Sequence, residues 1–246
     1  MVNLKYHCVY TQTVEESGFQ FITSYPYKIS SKEFESQVKS IVREFDGEPI
    51  DDRVLFTFDD GGVSFIDVIA PILEKYGLTG VFFISTKYIG QPKFMTKEQI
   101  VELSKRGHII ASHSHNHPLN MSKMAYADIL SEWKISKTIL EGIINAPIRI
   151  ASIPNGNGSE NVYKAALEAG YEMLYTSIPT TKEYSYGNLR IIGRYVIKNN
   201  MKQTTLLRIV GSRTKRNLCY IQWRLLKLIK AVLGNRYKTL KGIIKR

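Results

Sequence analysis

Six short apolar runs punctuate residues 4–177, and successive runs are separated by a stretch with helical spacing. The runs are LKYHCVY (4–10), RVLFTF (53–58), GVFFIS (80–85), GHIIAS (107–112), IRIAS (148–152) and EMLYTS (172–177). Runs this short, rich in β-branched and aromatic residues, read as buried strands. Ser30 to Glu33 has the pattern of a capping box, opening a helix to about Phe45. Residues 63–77 keep helical spacing and stop at Gly77, and Thr96 to Gln99 caps a helix to about Arg106. Residues 124–145 read as the longest amphipathic helix, and a shorter one covers 160–169. Strands alternating with helices imply an α/β fold with a parallel sheet, and this many units curl toward a deformed (β/α) barrel.

Charge divides the chain in two. Of its 34 Lys and Arg, eleven lie between Ser212 and Arg246, where there is no Asp or Glu. The other 211 residues hold 23 basic and 22 acidic side chains. The basic character is therefore local, and residues 1–211 and 212–246 read as a body and a basic helical extension. Two cysteines, Cys8 and Cys219, exclude a disulfide scaffold and a four-thiolate metal site. The first residues lack the basic-then-apolar order of a secretory signal, and no run suits a membrane span. The expectation is a cytoplasmic protein.

Polar residues concentrate where strands end. Thr57-Phe58-Asp59-Asp60-Gly61-Gly62 follows one strand, Ser112 to Pro118 another, and Pro154-Asn155-Gly156-Asn157-Gly158 a third. In parallel α/β folds these loops share one face, so the three clusters converge. Of two adjacent carboxylates, one can hold a metal while the other acts as a base, although Asp-Gly is also a common turn pair. Three of five histidines fall in one five-residue window, with His113 and His117 four apart. Two imidazoles and one carboxylate leave a coordination position open for water, as catalytic zinc sites do.

TFDDG (57–61) and HSHNH (113–117) resemble the first two motifs of the polysaccharide deacetylase family, the NodB-homology domain. SIPNGN (152–157) resembles the third, and Arg194 in IIGRYVI a later arginine, so the likeness extends over roughly residues 3–210. The resemblance implies a deformed parallel barrel and a divalent metal, zinc first, held by Asp60, His113 and His117. It implies Asp59 as catalytic base and the main-chain N–H of Asn155, flanked by Pro154 and Gly156, as oxyanion donor, with Arg194 also serving the substrate site. The implied reaction is removal of N-acetyl groups from an amino sugar. A binding protein that has lost turnover and an O-acetyl esterase are the alternatives.

Two positions depart from the family pattern. Ser152 stands where an arginine often orients the base, and no histidine follows His117 to act as general acid. His7, in Tyr6-His7 of the first strand, and His115 are the candidate acids. Without a secretory signal the expected substrate is a lipid- or nucleotide-linked N-acetyl sugar of surface-polysaccharide assembly. Residues 217–234 place apolar side chains at 218, 221, 225, 228, 229 and 232, one helical stripe. Packing on the barrel is one reading of that stripe, and peripheral contact with an anionic membrane is the other. No nucleic-acid-reading element accompanies the charge, so no nucleic-acid partner is expected.

Overall fold

The computed structural model describes residues 1–46, 48–50 and 52–233. Eleven strands occur among them: β1 (Val2–Tyr6), β2 (Val9–Tyr10), β3 (Ile29–Ser30), β4 (Val54–Phe58), β5 (Gly80–Ile84), β6 (Ile109–Ser112), β7 (Ile150–Ser152), β8 (Met173–Tyr175), β9 (Tyr184–Tyr186), β10 (Leu189–Ile192) and β11 (Tyr195–Val196). Seven α-helices accompany them: α1 (Ser31–Glu44), α2 (Ala70–Lys75), α3 (Lys97–Lys105), α4 (Tyr126–Ile144), α5 (Glu160–Glu168), α6 (Gln203–Gly211) and α7 (Arg213–Leu233).

Nine strands form one curled sheet in the order β11-β1-β4-β5-β6-β7-β8-β10-β9. Every neighbouring pair is parallel except β9 with β10. The result is a half-barrel in which β11 and β9 remain edges. Strand alternation sorts side chains between two faces. Leu4, Tyr6, Phe58, Phe82, Ile84, Ile110 and Leu174 belong to the large core shared with the helices. Val81, Phe83, Ala111, Tyr175 and Ile192 form a smaller cluster on the opposite, concave side. The same alternation sends Lys5, Thr57, Asp59 and His113 to the concave side.

The expected helix starts are present. The Ser30 side chain accepts from the Glu33 N–H, and Thr96 with Gln99 closes a full capping box. The segment after β4 differs, because Phe65–Ile69 is a π-helical turn that leads into a short α2. The longest helix is α7, at 21 residues, not α4, at 19. Strands β9, β10 and β11 carry no separate run in the sequence reading, since each is only two to four residues long.

The body includes α6, whose Leu206, Ile209 and Val210 are buried. Arg216 donates from Nη1 to the carbonyls of Ile209 and Val210, which caps α6 and fastens the start of α7. The apolar stripe of α7 does not pack on the barrel. Leu218, Ile221, Leu225, Leu228, Ile229 and Val232 are 44–83 % exposed, because the helix docks through the face that carries Arg216, Cys219 and Trp223. Residues 234–246 of the basic extension lie outside the described residues. No described helix is long and apolar enough to cross a membrane.

Leu140, fully buried on α4 among the outer core, tests that core independently of the concave face. Leu140→Ala should cost about 2–5 kcal/mol in urea unfolding, with divalent-metal binding at low temperature unchanged.

Candidate active site

The three polar loops meet at the carboxyl ends of β4, β6 and β7. Asp59 continues the inward alternation of β4, while Asp60 turns out of it with φ +93°. Positive φ recurs at Ser114, His117 and Asn155. Such conformations cost about 1–3 kcal/mol each in non-glycine residues and persist where the surroundings hold them. Here the holding groups are visible. Buried Glu132 on α4 accepts from the His115 and Asn116 N–H groups at 3.0 and 2.8 Å, and Ser114 Oγ accepts from the His117 N–H.

Asp60, His113 and His117 bring one donor atom each within 4.8 Å of one another. Asp60 Oδ1 lies 3.6 Å from His113 Nε2 and 3.3 Å from His117 Nε2. A tetrahedral ion bonded at about 2.0–2.1 Å separates its donors by about 3.4 Å, so this trio fits a zinc-sized cation. His113 Nδ1 sits 2.6 Å from Ser152 Oγ and 3.1 Å from the Ser152 carbonyl. That carbonyl can only accept, so Nδ1 carries the hydrogen and Nε2 is left to face the cluster. Burial pulls the His113 pKa down to about 3, which keeps the imidazole neutral, the form a metal takes. Burial works against ionisation of Asp60, but the His117 hydrogen bond and the fields of His7 and the other histidines hold its carboxyl below the usual range.

Asp59 is fully buried and gripped from two sides. Arg194 Nη1 and Nη2 donate to Oδ1 and Oδ2 at 2.6 and 2.9 Å, and Lys5 Nζ lies 2.7 Å from Oδ2. Burial again opposes ionisation, and Arg194 with Lys5 outweighs it, holding the carboxyl well below the ordinary carboxylate range. Asp59 Oδ2 is 3.7 Å from His113 Nε2, beside the three-donor cluster. Arg194 itself has no exposed surface. Its Nε donates to the Thr176 carbonyl, and its guanidinium lies 5.0 Å from the Phe83 ring centroid. It therefore stands behind Asp59 rather than on the substrate side. Ser152, at the position where the family often has an arginine, bonds His113 and donates from Oγ to Asp59 Oδ1 at 3.4 Å, while the cationic clamp comes from Arg194 and Lys5.

A cavity of about 220 Å³ opens onto this cluster, lined by Lys5, His7, Asp60, His113, His117, Asn155 and Ser177 among others. Phe19 closes one side, with its ring centroid 4.8 Å from that of His117. Gly62 allows the loop bearing Phe19 to approach, because a Cβ there would sit 2.4 Å from Ser17 Oγ. The two candidate acids separate. His7 lines the cavity with its Nδ1 buried and without a partner, and burial lowers its pKa to about 4. His115 is not among the lining residues, and its Nδ1 is 2.9 Å from Thr86 Oγ1. Pro154 is buried in the turn, and Gly156, at φ +72°, packs so closely on Ser177 that a Cβ would lie 2.2 Å from Oγ.

Sequence reasoning missed Lys5 and Glu132. Lys5 sits inside the run LKYHCVY, and only its alternation with apolar Leu4 and Tyr6 marks it as inward. Burial lowers the Lys5 pKa, with Asp59 opposing and Arg194 reinforcing the shift.

Two buried imidazoles with depressed pKa values give the metal-free protein a pH signature. Between pH 6.5 and about 4 the unfolded chain takes up protons at His7 and His113 that the folded chain refuses. Stability is fully present above pH 6.5 and is lost on acidification, by a few kcal/mol down to pH 4.5. Thermal unfolding of chelator-treated protein across this range should show the loss, and His7→Asn should make it shallower. A flat profile would contradict the buried neutral imidazoles.

Comparison with known proteins agrees with this geometry. The family profile for polysaccharide deacetylase matches residues 46–174. A putative polysaccharide deacetylase of Bacillus subtilis, YxkH, is 30 % identical over 167 residues, covering 62 % of this chain and 60 % of that one. The peptidoglycan-N-acetylglucosamine deacetylase of Bacillus cereus is 25 % identical over 154 residues, covering 59 % and 67 %. The structure of the Streptococcus pyogenes deacetylase PplD with acetate superposes with a TM-score of 0.66 at 21 % identity, over 86 % of this chain and 98 % of that one. The chain thus spans less than two thirds of the first of these curated relatives. With its profile match, its half-barrel and the convergence of its strand-end motifs, this chain belongs to the polysaccharide deacetylase family.

Proposed function

We propose that this chain is a metal-dependent hydrolase that removes the N-acetyl group from an amino sugar in a surface-polysaccharide or glycolipid precursor. The observation that carries the reading is the placement of buried Asp59 beside the three-donor cluster, directly behind a cavity that is lined by Lys5, Asp60, His113 and His117 and large enough for an N-acetyl group. Family membership and the N-acetylglucosamine named for the Bacillus cereus relative support it.

Asp60, His113 and His117 would hold the divalent cation, with zinc the first choice for two imidazoles and a carboxylate. When bound, the cation would polarise the acetyl carbonyl and acidify water. Asp59 takes the proton of the attacking water, and the main-chain N–H of Asn155 faces the oxygen on which charge develops. Cleavage of the C–N bond needs a proton at the leaving nitrogen. His7, neutral at neutral pH, is poorly suited, and His115 is outside the cavity. Lys5 is a cavity-facing cation 2.7 Å from Asp59. Its ammonium gives the nitrogen a proton and regains one from Asp59, whose conjugate acid the clamp makes strong. Water and amide are thereby converted to acetic acid and amine with no net proton change on the enzyme, and the acid then ionises to acetate, its proton going to the amine or to solvent.

Purified protein should carry about one divalent metal per chain, lost in His113→Ala and His117→Ala. Acetate release from N-acetylglucosamine oligomers should fall by about 10²–10⁴-fold in Asp59→Asn and fall comparably in kcat in Lys5→Gln. His7→Asn should stay within tenfold of the parent. Asp59→Asn leaves two buried cations unpaired, so circular dichroism must show it folded; Lys5→Gln removes a cation and is the safer variant. Metal binding without acetate release from any N-acetyl or O-acetyl sugar would replace the enzyme reading with a binding one. Faster release from O-acetyl sugars would make it an esterase.

The substrate is proposed to be lipid- or nucleotide-linked, with α7 resting on an anionic membrane. Its six outward apolar side chains lie on a helix whose charges are all basic, the pattern of an interfacial helix. The protein should co-sediment with phosphatidylglycerol vesicles and not with phosphatidylcholine ones. Changing Ile221, Leu225 and Leu228 to Gln should weaken this at least tenfold, since each buried apolar side chain is worth about 1.5–3 kcal/mol. Equal binding by the variant, or a dimer that the variant dissolves, would remove the membrane from the proposal.

A further inference from the structure

The β9 edge of the sheet, α5 and α7 together build an aromatic surface that the proposed chemistry does not use. Tyr184 and Tyr186 lie two apart on β9 and so share a face. Tyr163 of α5 meets Tyr186 with ring centroids 6.2 Å apart. From α7, Tyr220 and Trp223 stack at 5.9 Å, and the Tyr184 and Tyr220 side chains share a hydrogen bond. These five rings and Ser185 line a groove of about 380 Å³. Every one of the rings keeps exposed surface. Among the described residues, no charged side chain lines the groove. Apart from Tyr163, its lining lies beyond residue 174, where the family profile ends.

A run of shared residues connects this groove to the catalytic cavity. Asn155 and Ser177 line the cavity and also a middle groove of about 400 Å³ along residues 154–158. Tyr163, Ile178 and Trp223 line both the middle groove and the aromatic one. At about 220 Å³ the catalytic cavity is smaller than the roughly 300–1,000 Å³ of pockets that enclose drug-sized ligands. Most of an oligosaccharide must therefore lie outside it. Tyrosine and tryptophan join a broad apolar face to a polar group, and a pyranose joins a C–H face to a hydroxyl edge in the same way. A prenyl or acyl chain would offer the tyrosine hydroxyls and Ser185 no hydrogen bond. We infer that the aromatic groove is a distal saccharide subsite, which holds uncharged sugar units of the same chain whose N-acetyl group enters the catalytic cavity. The substrate class is then an oligosaccharide several units long. The inference rests on the proposed deacetylase reading for what occupies the cavity.

Tryptophan fluorescence reads the groove without turnover. The chain has two tryptophans, and Trp133 is fully buried, so Trp223 carries the response. Chelator-treated full-length protein is titrated with β-1,4- and β-1,6-linked N-acetylglucosamine oligomers of two and six units. In at least one linkage series the hexamer should shift Trp223 emission and bind at least tenfold tighter than the dimer. Changing both Tyr186 and Tyr220 to Ala should reduce that preference below twofold, with circular dichroism unchanged. Trp223→Ala, followed by calorimetry, should weaken hexamer binding at least fivefold and decides the matter if the double variant unfolds. Equal affinity for dimer and hexamer in both series, tighter hexamer binding with no emission change, or a preference that survives these substitutions would overturn the subsite. Emission shifted by farnesyl phosphate and by no oligomer would make the groove a prenyl-chain site and overturn it equally. An overturned subsite leaves acetate release and its dependence on Asp59 untouched. Failure of the deacetylase reading would appear as absent acetate release beside an intact length preference.

Discussion

A single buried carboxylate holds the concave face together. Asp59 accepts both nitrogens of the Arg194 fork and the Lys5 ammonium, and these partners come from opposite ends of the chain. Lys5 belongs to the first strand, Asp59 follows β4, and Arg194 lies between β10 and β11. Strands β1 and β4 are neighbours in the sheet, and Arg194 sits in the link from β10, near one edge, to β11 at the other, so the clamp joins the two sides of the half-barrel. Burying two cations and a carboxylate is costly unless geometry and hydrogen bonding are nearly complete. Here the guanidinium also meets the Thr176 carbonyl and lies over aromatic rings, so its five donors and its faces are largely used. The same clamp sets the chemistry, because it fixes the carboxylate's position and makes its conjugate acid strong.

Around this anchor the site is built from strained backbone held by ordinary interactions. Asp60, Ser114, His117 and Asn155 all adopt positive φ, and each lies in a loop that ends a parallel strand. Glu132 on α4 restrains the histidine loop through two backbone N–H groups. Ser152 orders His113 through its carbonyl and hydroxyl. The helices outside the sheet thus do more than cover apolar surface: α4 reaches the histidine loop through one buried glutamate.

The regions that border the cavity differ in origin from its floor. The floor comes from the strand ends within the profile-matched segment and from β1. One wall comes from the loop before α1, which places Phe19 against His117. Helix α7 contributes no residue to that cavity; it borders a neighbouring groove and is fastened by Arg216 to the end of α6.

Much of the fold was legible because it depends on local pattern. Apolar runs, capping residues and strand-end polar clusters are short-range signals, and they place α1, α3, the parallel strands and the loops bearing Asp59, Asp60, His113 and His117. The tiny strands β9 to β11 gave no such signal, since two to four residues do not establish a period. Two facts were beyond any local pattern. Whether a histidine faces the cavity depends on which loop it shares, so His7 and His115 looked alike until the fold separated them. Which cations grip Asp59 depends on contacts 54 and 135 residues apart in the chain. The amphipathic stripe of α7 was readable from spacing, but its direction was not, because a helix period fixes a face without saying what that face meets. The sequence by itself determined the strand–helix alternation and the residue types of the site. Only tertiary structure decided their partners, because burial and long-range pairing, not local spacing, set the charge state and position of each group.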